Sequence, residues 1–210
     1  MLNKQDIKQV LEILEETYPK AKSELNFSNP FELLIATILS AQCTDVRVNK
    51  ITGELYKIYK TPEDFLKLTE EELGVLIKSC GFYRNKSKNI LGTCKILVEE
   101  HNSQVPKTRK ELMELPGVGR KTANVVLSNA FGEDAIAVDT HVFRVSNRIG
   151  LAHSDNVDDT EKDLMENIPK FQWSDAHHWL IFHGRRVCKA RKPNCDNCPL
   201  TNYCEYYKSL

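Results

Sequence analysis

The 210-residue chain lacks any apolar run long enough to cross a bilayer: its longest, Phe31 to Leu39, is broken by Glu32 and Thr37 and falls far short of the roughly 20 residues a span requires. It also lacks an excess of charge of either sign. With 29 basic and 29 acidic side chains, the sum argues neither for nor against a nucleic-acid partner. Glycine and proline are sparse, at 9 and 8 residues, and there is no internal repeat, low-complexity tract or Ser/Gly linker. Collagen-like, fibrous and disordered chains are thereby excluded. Period-2 alternation is missing as well; the best strand candidate, Ala135 to Val138, is only four residues long.

What remains is helical, and the expected class is all-α. The N-terminal stretch places Ile7, Val10, Leu11 and Leu14 at i, i+3, i+4 and i+7 among charged residues. That is an amphipathic helix and not the uninterrupted core of a signal peptide, so a cytoplasmic protein is expected. Pro30 opens FELLIATILSAQ, apolar almost all round and hence expected to be a central, buried helix. Further helices are expected over Val46 to Tyr59, Pro62 to Leu68, Glu70 to Lys78 and Lys86 to His101, with Thr61 and Thr69 as N-caps.

A helix–hairpin–helix follows. Thr108 caps a short helix carrying Leu112 and Leu115, Pro116 stops it, and Gly117-Val118-Gly119 leads into a second helix that bears Ala123, Val126, Leu127 and Ala130 and ends at Gly132. Two glycines let a backbone approach a ligand closely, and free N–H groups at a helix start suit a phosphate oxygen. Lys121 lies roughly 170° from the centre of the apolar stripe, at about 100° per residue, and so points away from the core; by spacing alone it is a solvated lysine. Gly-Arg-Lys-Thr echoes the end of a nucleotide P-loop, but Arg120 stands where that loop needs glycine and a helix leads in where it needs a strand.

In a reducing compartment seven cysteines are not a disulfide framework. Four of them, Cys188, Cys195, Cys198 and Cys204, form a C-x6-C-x2-C-x5-C pattern within the last 23 residues. Four thiolates make a closed metal site, and spacing alone leaves zinc and iron–sulfur both open. Cys43, Cys80 and Cys94 are scattered and are expected in the core. Arg185, Arg186, Lys189, Arg191 and Lys192 form a basic run with no acid inside it, which suits phosphate contacts. Asp139, ahead of a helix from Thr140 to Ile149, is by residue type either an N-cap or a functional carboxylate.

LPGVGRKTANVVL followed by AVDTHVFRVSNR, together with ELNFSNPFELLIATILSAQCTDVRVNK, GFYRNKSKNI and the C-terminal cysteines, resembles the endonuclease III family of DNA glycosylases with apurinic/apyrimidinic lyase activity over nearly the whole chain. The resemblance implies a two-lobed helix–hairpin–helix glycosylase fold. One lobe is a six-helix domain over 25–133 that contains the motif at about 108–131. The other comprises 1–24 plus 134–210 and ends in a cluster loop at 188–204, with DNA bound between the two. It also implies one 4Fe–4S cluster on the four cysteines, which organises the loop and takes no part in base chemistry. Lys121 becomes the nucleophile and Asp139 its assistant. Gln42 and Phe82 become the plug and wedge that fill the stack, although close relatives carry an aliphatic residue at Phe82. Gly117, Val118, Gly119, Arg186 and Lys192 become DNA contacts. The implied partner is duplex DNA with a damaged pyrimidine or an abasic site, and the implied form is a monomer associated with the nucleoid.

The chemistry explains the residue types. An amine that attacks the sugar C1′ as a Schiff-base nucleophile displaces the base and acidifies the neighbouring proton for β-elimination. An exposed lysine is almost wholly ammonium near neutrality, so the positive end of the hairpin helix and burial against a duplex, both of which favour free amine, matter. Adenine or mismatch-thymine glycosylases typically lack this lysine. A non-catalytic hairpin module would need neither Lys121 nor a pocket.

Overall fold

The computed structural model describes residues 1–210. It holds twelve α-helices and no strand, in two compact units: Ser23–Glu133, and Met1–Lys22 with Asp134–Leu210.

The Ser23–Glu133 unit contains α2 (Pro30–Ser40), α3 (Asp45–Ile58), α4 (Pro62–Phe65), α5 (Glu70–Ile77), α6 (Tyr83–Glu100), α7 (Arg109–Glu114) and α8 (Arg120–Phe131). Asn29 caps α2, with Pro30 in its first turn, and every residue from Phe31 to Leu39 is buried. Each large apolar side chain in that run contributes roughly 1.5–3 kcal/mol as an upper figure. The two polar interruptions are satisfied locally: Ser28 donates to the Glu32 carboxylate through both its N–H and its hydroxyl, and the Thr37 hydroxyl donates to the Leu33 carbonyl. α2 packs against α3, α6 and α8, which makes it the unit's central helix. Thr61 and Thr69 cap α4 and α5, the latter in a full capping box.

Two boundaries differ from expectation by three residues. α4 stops at Phe65, and single-turn bonds carry the chain through Leu68. α6 starts at Tyr83, ahead of the expected Lys86, with Phe82 at its N-cap in the left-handed region and no side-chain cap; no start signal is there to read. Of the scattered cysteines, Cys80 and Cys94 are buried and Cys43 is half-buried.

The other unit holds α1 (Lys4–Thr17), α9 (Thr140–Ile149), α10 (Val157–Asn167), α11 (Trp173–Arg186) and α12 (Glu205–Lys208). Ile7, Val10, Leu11 and Leu14 of α1 share a core with Val142, Val145 and Ile149 of α9, Leu164 of α10, and Ala176, Trp179 and Leu180 of α11. Ala135 to Val138 is buried but pairs with no neighbouring chain as a strand. No helix is long and apolar enough to cross a membrane.

Burial, reinforced by the neighbouring His177, pushes the pKa of His178 down to about 3. The unfolded chain, with a histidine pKa near 6.5, takes up a proton that the folded chain refuses. His178 therefore adds stability that is complete above about pH 6.5 and is lost as the pH falls toward 3. Between pH 7 and 5, urea unfolding should show stability declining with a slope of up to ~1.4 kcal/mol per pH unit from this residue. His178→Gln should flatten that slope; an unchanged slope would remove His178 from the account.

Candidate functional site

The hairpin is built by close approach. Thr108 caps α7, and after α7 the Val118 N–H donates to the Leu115 carbonyl at 3.1 Å. Gly117 has φ of +78°, and a Cβ there would stand 2.8 Å from Asn89 Nδ2 on α6. A side chain at this position meets both backbone strain and a neighbour. Thr93 of α6 donates to the Pro116 carbonyl at 3.0 Å, locking the turn to the helix beneath. Gly119, the N-cap of α8, supplies no side chain, and a Cβ added to it would meet nothing within 4 Å. The start of α8 is thus uncapped and open. Val118 is buried, so it meets a ligand only through its backbone. Lys121 is exposed in the first turn of α8, while Ala123, Val126 and Leu127 face the core.

Asp139 does cap α9. Its Oδ1 accepts from the His141 and Val142 N–H groups, both at 2.8 Å. One carboxylate oxygen carries the cap, and Oδ2 takes no part in it. The lead-in is held by His177, whose Nδ1 lies 2.7 Å from the Ala137 carbonyl. Burial lowers the His141 pKa, against the opposing charge of Asp139.

The four clustered cysteines line one cleft together with Ile149, Val187, Pro193 and Leu200. Burial raises the Cys198 and Cys204 thiols, and ionisation of the other cysteines in the set would raise them further. Four thiolates at this spot therefore require a positive centre among them. The four sulfurs line a single cleft, which fits a centre held by four thiolates.

The side-chain donors around these sulfurs come from α9 and α11. Arg148 Nη1 lies 3.6 Å from Cys188 Sγ and 2.9 Å from the Lys189 carbonyl, and Nη2 reaches the Ala190 carbonyl at 3.1 Å. Arg144 donates to the carbonyls of Thr140, Gly184 and Cys188. His183 is buried, its pKa pushed down to about 4 by desolvation. Its Nε2 lies 3.5 Å from Cys198 Sγ and its Nδ1 3.0 Å from the Tyr18 hydroxyl. None of these three residues is marked by spacing; the signal available was two arginines four apart on the helix behind Asp139.

Gln42 and Phe82 are both exposed, Phe82 at 63%, and both hold positive φ, 53° and 48°. By residue type alone, Phe82 reads as a buried aromatic and Gln42 as a capping or core-edge polar residue; the structure leaves both side chains exposed. The basic run divides: Arg185 and Arg186 end α11, and Lys189, Arg191 and Lys192 lie beyond it, all exposed. Arg186 stacks over the Phe182 ring at 4.4 Å and lies 5.8 Å from that of Tyr18.

Residues 35–170 match the HhH-GPD superfamily base excision DNA repair protein family, and residues 188–204 match the iron–sulfur binding domain of endonuclease III. The chain is 52% identical to endonuclease III of Escherichia coli (strain K12) over 209 residues, covering 100% of this chain and 99% of that one. Among solved structures it is similar to a non-covalent endonuclease III–DNA complex, with TM-score 0.95, 53% identity and coverage of 100% and 98%. It is equally similar to a trapped endonuclease III–DNA covalent intermediate, with TM-score 0.95, 53% identity and coverage of 100% and 99%.

The geometry of Asp139 assigns the cap to one carboxylate oxygen. Asp139→Ala should cost about 1 kcal/mol of thermal stability through loss of the cap, whereas Asp139→Asn, also a good cap, should cost only a few tenths. Equal losses in calorimetry would mean that Oδ1 does not carry the cap.

Proposed function

Because the chain belongs to the endonuclease III family within the HhH-GPD superfamily of base excision DNA repair proteins, we propose that Lys121 and Asp139 carry its DNA glycosylase and lyase chemistry, on duplexes with an oxidised pyrimidine or an abasic site. The observation that carries this reading is the position of Lys121: exposed, in the first turn of α8, directly after an uncapped glycine hairpin. Phosphate oxygens bound at the hairpin amides would bring a sugar beside that amine.

The free amine of Lys121 attacks C1′ as the bond to the base breaks, and the base leaves with its electron pair. Ring opening gives an imine between Lys121 Nζ and C1′. The imine withdraws electrons from C2′, whose proton is lost as the 3′ phosphate departs by β-elimination. In this reading Asp139, with Oδ2 outside the cap, accepts the lysine's proton or stabilises positive charge developing on the sugar.

Reaching C1′ in a duplex requires extruding the nucleotide, at a cost of a few kcal/mol. Gln42 and Phe82 fill the gap: both are exposed on left-handed turns, and an aromatic wedge stacks on bases as an aliphatic one cannot. The hairpin backbone at Gly117, Val118 and Gly119 takes phosphate contacts, as do Arg186 and Lys192.

The chain carries one 4Fe–4S cluster, and Cys188, Cys195, Cys198 and Cys204 are its proposed ligands. When bound, the cluster supplies a covalent cross-link to a segment with little regular structure. A monomer in the cytoplasm, acting on the nucleoid, completes the reading.

Borohydride should trap a protein–DNA adduct on an abasic duplex, since an imine is reducible. Lys121→Gln should abolish trapping while leaving affinity within about threefold, because it removes the nucleophile but little contact. Undiminished trapping in that variant would place the nucleophile elsewhere. In a second measurement, Cys198→Ser should lower iron content and stability but leave single-turnover base release on saturating duplex largely intact; full iron occupancy would remove Cys198 from the ligand set.

A further inference from the structure

α6 carries a lysine where its apolar stripe calls for a hydrocarbon. Lys86 lies on the same face as Ile90, Cys94 and Leu97 and is only 4% exposed. Its ammonium donates to two backbone carbonyls, that of Leu39 at 2.9 Å and that of Cys80 at 2.8 Å. Burying an ammonium is costly unless its protons are taken up, and burial pulls the pKa of this one down. Helix stability alone does not require such a group, since an apolar residue at this position would fill the stripe without the cost.

The two carbonyls are not arbitrary. Leu39 lies in the last turn of α2, whose carbonyls have no helical partner. Three residues on comes Gln42, inside a turn closed by the Cys43 N–H on the Ser40 carbonyl at 3.0 Å. Cys80 ends a 3-10 turn, and two residues on comes Phe82. Gln42 and Phe82 are non-glycine residues at φ of 53° and 48°. A left-handed conformation costs such residues roughly 1–2 kcal/mol each and persists only where the surroundings over-determine it. One buried ammonium thus anchors the chain just upstream of both strained, exposed side chains.

We propose that Lys86 is a positioning residue that ties the Gln42 and Phe82 turns to each other, so that plug and wedge enter the base stack as one rigid pair. The proposal rests on the assignment of those two side chains to the stack, and its test keeps the two ideas apart.

Lys86→Met keeps length and apolar stem but removes all three donors. Single-turnover strand cleavage is measured on a duplex with one abasic site and on the same abasic strand unpaired, where there is no stack to fill. The expected result is a loss of about tenfold or more on the duplex, equivalent to ~1.4 kcal/mol of transition-state stabilisation, against less than about twofold on the single strand. A 2-aminopurine opposite the site should show a matching loss of its binding-induced fluorescence change. Combined with Gln42→Ala and Phe82→Ala, Lys86→Met should add almost nothing.

Equal losses on both substrates, or full additivity with the plug and wedge variants, would make Lys86 a core support only and overturn the proposal. If Gln42→Ala with Phe82→Ala leaves duplex cleavage unchanged, it is the stack assignment that fails. If that pair slows the duplex reaction and Lys86→Met does not, the assignment stands and the tie is wrong. Should the methionine variant not fold, Lys86→Gln, too short to bridge both carbonyls, is read on the same two substrates with the same expected contrast and the same overturning result.

Discussion

A segment without regular structure must find partners for its backbone elsewhere, and the C-terminal unit is organised around that constraint. From Val187 to Cys204 the chain forms only one short 3-10 turn. Its carbonyls at Cys188, Lys189 and Ala190 are taken up by Arg144 and Arg148, whose helix buries Val142, Val145 and Ile149 on its other side. A single amphipathic helix therefore presents Asp139 at its start, fills the core along one face and supplies guanidinium donors to the cysteine segment along another. Arginine suits this duty because its planar fork reaches several carbonyls at once and stays charged.

The same helix explains why capping and the proposed chemistry need not compete at Asp139. A cap requires one oxygen at two amide protons, and Oδ1 meets both. The second oxygen is oriented by the first and adds no further constraint on the backbone. A group fixed by its own helix start loses little entropy when it acts, which is the advantage of mounting functional groups on rigid elements.

In the Ser23–Glu133 unit the corresponding constraint is close approach. Gly117 against Asn89 and the Thr93 hydroxyl on the Pro116 carbonyl hold the hairpin down on α6, and the same helix sends Lys86 toward α2 and the turn before Phe82. α6 thus serves both the hairpin backbone and the side chains assigned to the stack. Its burial comes from Ile90, Cys94 and Leu97. Its Lys86 and Thr93 side chains reach backbone carbonyls of other segments, where hydrogen bonds specify conformation as well as adding stability.

What depends on neighbours along the chain was legible before any fold was known. The all-α class, the buried helix opened by Pro30, the threonine caps, the glycine turn before Lys121 and the four-cysteine spacing are local patterns set by helical periodicity, φ preference and ligand count. Expectation missed α6's first turn because Phe82 offers no cap signal, and it left α10 and α11 unread. The rest follows from which distant segments meet. That Phe82 is exposed, that Arg148 and His183 stand at the cysteine sulfurs, and that Lys86 binds the Leu39 and Cys80 carbonyls all depend on segments far apart in the chain. A buried polar side chain takes its meaning from whichever unpaired group the fold brings to it, and no periodicity records that group.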